Sequence, residues 1–226
     1  MPDIFIRNAG TWSRLKQAFI KNAGAWSSVK MIWIKNAGTW KMVFPSVFTI
    51  RVVGGGGGGG SGYCTATGGN GGAGGMVISE RQLSSGSYSV VIGAGGAAAQ
   101  SSGQRYNTGV VGGDGGNSSF SSIVGGGGKG GLVANSYTPS ASGTNSGLVA
   151  GDTNTAGPYN GYGAGGVGGT QNNNCEYSNS AQSGGTQGIV IVSYIGSGRG
   201  SGGTVTTSGS TTIHTFTSNG TFTVNY

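Results

Sequence analysis

The chain has 226 residues, of which 53 are glycine, 4 are proline and 8% are charged. Abundant glycine without a strict period of three and with little proline excludes a collagen-like triple helix. The low charge is not typical of a disordered chain, which leaves either a flexible low-complexity segment or a chain that packs backbone against backbone. Residues 1–47 carry seven basic side chains and one acidic side chain, whereas residues 48–226 carry five basic and four acidic ones. Most of the net charge of +7 therefore lies in the N-terminal 47 residues. Because those basic residues stand singly between apolar ones, we expect solvated strand faces and no nucleic-acid partner.

The first 44 residues contain three copies of one motif, FIRNAGTW, FIKNAGAW and WIKNAGTW, spaced 14 residues apart. Asparagine and glycine both tolerate positive φ, so each Asn-Ala-Gly is typical of a turn between two short strands. The repeats predict three hairpin-like units with local pseudo-threefold symmetry, and Trp12, Trp26 and Trp40 stand at equivalent positions. These tryptophans either make equivalent contacts with three partner subunits or form the core of the small module.

From residue 54 to about 203, glycine-rich runs alternate with stretches of Ser, Thr, Asn, Gln, Ala and Tyr. A run such as 54–60 can adopt the polyproline II conformation, which has three residues per turn and leaves its N–H and C=O groups pointing outward. Side-by-side helices of this kind can bond to one another, and only glycine lets them approach closely. We therefore expect the glycines to form the core of the body, in place of a conventional apolar core, with the polar stretches as loops.

Short apolar strands frame this body. We expect strands over 46–53, 86–93 and 188–196, and a three-stranded antiparallel tail over 204–226. Within the tail, Asn219 and Gly220 separate two alternating segments, which is a strong hairpin signal. The predicted fold class is mostly irregular and β: a polyglycine II sandwich with short strands (48–226), preceded by a small N-terminal β-repeat module (1–47).

This combination of a tryptophan-repeat head and a glycine-rich body resembles the adhesins at the tips of T-even-type bacteriophage long tail fibres. The segments VVGGGGGGGSG, GIVIVSYIG and IHTFTSNGTFTV also resemble the glycine-rich domain found in phage and other viral structural proteins. The resemblance implies that residues 1–47 cap a trimeric fibre, one copy per trimer, through Trp12, Trp26 and Trp40. It further implies that the loops bind a host outer-membrane protein or surface glycan, and that the protein is located at the fibre tip of the virion.

Tyrosine among Ser, Asn and Gly is the composition of antibody-type binding loops. The predicted receptor-binding residues are therefore Tyr106, Tyr137, Tyr159, Tyr162, Tyr177, Asn172 and Asn173. The alternative role for any of these tyrosines is to cover an edge of the glycine body.

Enzymatic signals are weak, because the acids show no paired pattern, no nucleophile-elbow spacing occurs, and GGGGKGG lacks the Ser or Thr of a phosphate loop. The lone His214 is expected to face solvent or pack on a sheet, and Cys64 and Cys175 leave a disulfide undetermined. We expect no catalysis, metal or cofactor. Two alternatives to an adhesin are a structural virion component without receptor contact and an ice-binding protein, which would need a more regular repeat.

Overall fold

A computed structural model describes residues 5–8, 11–14, 19–22, 24–28, 32–36, 38–44, 47–62, 67–100, 110–133, 159–169 and 183–225. All regular structure in these residues is β, in agreement with the predicted mostly β and irregular fold class. The strands are β1 (Phe5–Asn8), β2 (Thr11–Arg14), β3 (Phe19–Asn22), β4 (Ala25–Ser28), β5 (Ile32–Asn36), β6 (Thr39–Phe44), β7 (Val47–Val53), β8 (Met76–Gln82), β9 (Gly86–Val91), β10 (Ser118–Phe120), β11 (Ile123–Gly125), β12 (Ile189–Ile195), β13 (Gly200–Ser201), β14 (Thr204–Ser208), β15 (Thr211–Phe216) and β16 (Gly220–Val224).

The first six strands form three separate antiparallel hairpins, one for each sequence repeat. Equivalent residues pair in each hairpin: the basic residue of the motif stands opposite the tryptophan, as Arg7–Trp12, Lys21–Trp26 and Lys35–Trp40. Gly24 and Gly38 follow the turn alanines with φ of +87° and +84°, the conformation that the repeated glycine was expected to supply. The pseudo-threefold arrangement of the three hairpins stays a prediction.

The remaining strands form two five-stranded sheets packed face to face. The strand order is β14-β15-β12-β7-β8 in the first sheet and β11-β10-β9-β16-β13 in the second. Alternate residues of both sheets fill an aromatic and aliphatic core, in which Phe48, Phe120 and Phe222 are almost completely buried. The expectation of a body with no conventional apolar core was therefore wrong for this part of the chain, because the few Val, Ile and Phe residues are concentrated on the inner faces of these strands.

The Asn219–Gly220 hairpin was also predicted wrongly. β15 pairs with β14 and β12, whereas β16 pairs with β9 and β13 in the other sheet. A two-residue type I′ turn needs positive φ at both central residues, and neither Asn219 nor Gly220 has it. Instead Phe216 and Phe222 both face the core, so the connection crosses between sheets, and the Asn219 side chain accepts a hydrogen bond from the Ile92 amide.

Seven extended segments without strand pairing lie side by side beyond the sandwich, and we name them together the glycine bundle. Residues 54–61 run through its centre. Successive amides of 54–61 donate hydrogen bonds to three neighbouring segments in turn: 68–75, 110–116 and 183–188. Each of these segments therefore accepts a hydrogen bond from every third residue of 54–61. The carbonyls of 55–60 accept, again in rotation, from 93–99, 126–132 and 163–169. The N–H and C=O groups of the central segment are thus hydrogen-bonded to neighbours on six sides.

The six outer segments form a closed ring. Around the ring the order is 68–75, 126–132, 110–116, 93–99, 183–188 and 163–169, and backbone hydrogen bonds of 2.7–3.2 Å join each neighbouring pair. Segments that run parallel to the centre alternate with segments that run antiparallel. A Cβ added at any of the central glycines 54–60 would overlap a carbonyl oxygen of a neighbour, so the seven consecutive glycines are explained by close approach on all sides.

Candidate recognition surface at one end of the glycine bundle

The bundle has two chemically different ends. At one end its segments continue directly into the sandwich, because 54–61 follows β7, 68–75 precedes β8 and 183–188 precedes β12. At the other end the bundle residues border four stretches of chain, 63–66, 101–109, 134–158 and 170–182, that lie outside the described residues. We name this the loop end.

Hydrogen bonds hold the borders of these four stretches close together. The Gly60 amide donates to Gly69 and its carbonyl accepts from Gly169, while Gly68 donates to Gly169. Ser61 donates its amide to the Val110 carbonyl and accepts the Val110 amide on its side chain, at 3.0 and 2.6 Å. Segments far apart in sequence therefore start from one small, rigid platform.

The N-terminal side of the body lies at the opposite pole. β7 begins at Val47 and ends at Val53, next to the bundle, so residues 1–46 join the body at the sandwich end farthest from the loop end. Seven strand residues rise about 23 Å, and eight residues of polyproline II-like chain rise about 25 Å. The chain entry and the loop end are thus separated by roughly the full length of the body.

Outward polar side chains strengthen the ring by accepting hydrogen bonds from backbone amides of neighbouring segments. Asn70 accepts from Gly168, Asn117 accepts from Gly127, and Ser183 accepts from Val167, at 2.8–2.9 Å. Thr186 bridges two groups, since its hydroxyl accepts from Ala164 and donates to the Gly161 carbonyl. Sequence reasoning missed these roles, although the signal was available: Asn70 and Asn117 follow a pair of glycines in the chain.

Asp114 makes the most elaborate of these contacts. Its carboxylate accepts from the Lys129 ammonium at 2.7 Å and from the Gly130 amide at 2.8 Å. The Lys129 hydrogen bond, with a smaller contribution from Gly130, lowers the pKa of Asp114 below its ordinary value. Both side chains are about half exposed. The ion pair therefore links the outer segments 110–116 and 126–132 at the surface of the bundle.

A family comparison fits this architecture. The model of a family described as a glycine-rich domain matches residues 35–224. The chain belongs to the glycine-rich domain family. A comparison with curated proteins gave no match. The family match starts within β5, and it includes the whole sandwich and the whole glycine bundle.

Five of the predicted receptor-binding residues of this glycine-rich domain lie outside the described residues: Tyr106, Tyr137, Tyr177, Asn172 and Asn173. All five belong to stretches that border the loop end. Their contact with a receptor stays a prediction.

Tyr159 and Tyr162 are placed elsewhere. They are the ends of a turn in which Tyr162 donates its amide to Tyr159, and Asn160 and Gly161 have φ of +47° and +82°. This turn precedes the bundle segment 163–169 at the sandwich side, and both tyrosines pack, partly buried, against the cluster of Val53, Ile189 and Ile191. The structure therefore brings these two together, but away from the loop end.

Trp12, Trp26 and Trp40 lie on the second strand of each hairpin, at equivalent register positions. Their side chains are outside the described part of the structure. Their predicted role in fibre attachment stays a prediction.

His214 is buried and not solvent-facing. Its Nδ1 lies 2.7 Å from the Gly202 carbonyl, which can only accept, so Nδ1 donates. Its Nε2 is hydrogen-bonded to the Tyr194 hydroxyl, and that oxygen accepts from the Gly200 amide, both at 3.1 Å. This chain of hydrogen bonds ties the β13 region to the sandwich core.

Within the described ranges, no group of three or more His, Cys, Asp or Glu residues could hold a metal ion. Across the same residues, no helix has the length and apolar character needed to cross a membrane.

Proposed function

We propose that this glycine-rich domain protein is a bacteriophage tail-fibre tip adhesin. Residues 1–47 would cap a trimeric fibre, one copy per trimer, and the stretches bordering the loop end would bind an outer-membrane protein or surface glycan of the host. We also infer that the seven bundle segments are polyglycine II helices, since they bond at every third residue and that helix has three residues per turn.

One observation carries the proposal: the chain entry and the loop end lie at opposite poles of the body. An adhesin needs this polarity, because one end must attach to a carrier while the other faces the target. A rigid support also favours binding, since loops held on a fixed platform lose less conformational freedom when they bind. The bundle supplies such a platform from backbone alone, so the residues between its segments are free to serve recognition.

The N-terminal repeats support the attachment half of the proposal. Three hairpins present a tryptophan at equivalent register positions, and a threefold carrier offers three equivalent surfaces. Tryptophan is also among the residues that contribute most to binding at interfaces.

The receptor half is tested by replacing 101–109 and 170–182, one at a time, with Gly-Ser linkers of equal length. Fluorescently labelled protein is measured on a panel of Gram-negative bacteria, and Ser85→Asn, between β8 and β9, is the control. We expect adhesion to a susceptible strain to fall at least about tenfold in one or both linker variants, with no fall in the control. A wild-type protein that adheres to no strain would favour a structural virion component. Adhesion that survives both replacements would contradict a receptor role for 101–109 and 170–182.

The attachment half is tested separately with Trp12→Ala, Trp26→Ala and Trp40→Ala combined. We expect this protein to lose co-purification with fibres while its body keeps the wild-type melting temperature. Trp33→Phe is a matched control, because the other two repeats carry phenylalanine at that position. Normal attachment by the triple variant would contradict the capping role.

A further inference from the structure

Each N-terminal hairpin brings two aromatic residues and one basic residue to the same face. Opposite residues of an antiparallel pair share a face, as do residues two apart in one strand. In the first hairpin Arg7 lies opposite Trp12 and two residues after Phe5, so these three residues share a face. The register repeats this set in the other two hairpins, as Phe19, Lys21 and Trp26 and as Trp33, Lys35 and Trp40. We name these three faces the aromatic–basic faces.

The other face of each hairpin has a different composition. It carries an isoleucine with a serine or a lysine opposite: Ile6 and Ser13, Ile20 and Ser27, Ile34 and Lys41. This second face is therefore charged in only one of the three copies, whereas the aromatic–basic face carries a basic residue beside its tryptophan in every copy. The sequence repeat thus keeps the aromatic residues and the positive charge together.

A basic residue on the aromatic face argues against a role of that face as the dry core of the module. A charged group is costly to bury without a counter-charge, and the side chain of Lys21 is exposed. Residues 1–47 contain seven bases and one acid, Asp3, and the whole chain contains 12 bases and 5 acids. The excess positive charge of this segment has to be balanced largely from outside the chain, and an acidic partner can supply that balance.

The combination of aromatic and basic residues restricts the chemistry of the partner. Tryptophan contributes most to binding when it is buried in a well-packed pocket, and a basic group forms its strong hydrogen bonds with carboxylates or phosphates. Nucleic acid also offers stacking faces and negative charge, but its binding sites are typically marked by clustered Lys and Arg. Arg7, Lys21 and Lys35 instead stand 14 residues apart, one in each hairpin. Three separate, equivalent faces fit a protein that has three equivalent sites.

We propose that Arg7, Lys21 and Lys35 are contact residues for a carrier protein that presents, at three equivalent positions, an acidic side chain beside an apolar surface. The inference rests on the attachment half of the proposed function and adds the chemistry of the carrier surface. Such charges act chiefly on the rate of association and on its salt dependence, because opposite charges steer the two proteins together.

The test uses a full-length triple variant: Arg7→Gln, Lys21→Gln, Lys35→Gln. Its matched control loses the same charge at positions outside the aromatic–basic faces: Lys41→Gln, Arg51→Gln, Arg81→Gln. The probe is fibres purified from particles that lack this protein, in about 0.01 M and about 1 M NaCl, where the Debye length is about 30 Å and about 3 Å. At low salt we expect the triple variant to bind at least about tenfold more weakly than wild type, a loss of about 1.4 kcal/mol. We expect the control to bind like wild type, and the difference to shrink at high salt, where ions screen the charges.

The outcomes separate this inference from the capping role itself. Undiminished binding by the triple variant at low salt would overturn the acidic partner, while loss of binding in the Trp12, Trp26 and Trp40 variant would still support capping. A loss of equal size at low and high salt would show that the bases act within the hairpins, and would also overturn the acidic partner. Wild-type binding to a DNA duplex but not to fibres would overturn a protein carrier. Wild-type protein that binds fibres at neither salt concentration would contradict attachment as well.

Discussion

The α-carbon of Gly57 faces the carbonyl oxygen of Lys129 so closely that a Cβ on Gly57 would overlap it. The neighbouring atoms of that contact are all backbone, so no side chain can rotate away. The same holds at every central glycine from 54 to 60. Close packing of backbone against backbone is therefore a structural requirement of the bundle.

We predict that Gly57→Ala destabilises the body by at least about 3 kcal/mol, because relieving the overlap requires segments to move apart and lose hydrogen bonds. The free energy of unfolding in urea measures the effect. Gly220→Ala is the control, since a Cβ there would meet the Phe216 ring at an ordinary 3.5 Å. Equal stability of the two variants would contradict the close-packed bundle.

Tyr194→Phe should cost about 1–3 kcal/mol, because it removes the hydroxyl shared by His214 and Gly200 and leaves buried polar groups without a partner. Tyr88→Phe is a matched control: the Tyr88 hydroxyl donates to the Ser84 carbonyl at an exposed site, where water can replace it. Urea unfolding of both proteins provides the comparison. A loss in Tyr88→Phe as large as in Tyr194→Phe would refute the buried network.

Asp114→Ala should lower stability at neutral pH by about 1 kcal/mol or less, since the ion pair with Lys129 is half exposed. The folded-state pKa of Asp114 lies below its ordinary value of 3.8. Its stabilisation is therefore complete above that value and is lost as the pH falls through the lowered pKa. Urea unfolding at several pH values should show the difference from wild type shrinking in acid. A difference that grows in acid would contradict this assignment.

Replacing Tyr162 by Ala should destabilise the body by about 2 kcal/mol or more, because the ring packs on the Val53, Ile189 and Ile191 cluster. Adhesion measured at a temperature where the variant is fully folded should stay within about twofold of wild type. A large loss of adhesion in the folded variant would instead support the receptor role that composition predicted for this residue.

Much of the fold follows from local sequence patterns. The abundant Val and Ile residues of β7 and β12 predict buried strands, and the repeated Asn-Ala-Gly motifs predict three hairpins. The absence of any Cβ in 54–60 predicts close approach of neighbouring chains. In each case the pattern concerns the chemistry of one segment or of near neighbours in sequence.

Which strands pair with one another, when they lie far apart in the sequence, could not be predicted in the same way. Asn219–Gly220 has a hairpin composition, yet Phe216 and Phe222 are buried best when β15 and β16 lie in opposite sheets. Asn160–Gly161 has the positive φ values instead, although the sequence around it does not alternate.

Cryo-electron microscopy of virions or purified fibre tips can show directly where this protein lies. For a capping adhesin we expect one copy on the threefold axis of the fibre, with the hairpins toward the fibre and the loop end pointing away from it. Three copies per fibre, or a loop end buried against another virion protein, would contradict the capping adhesin.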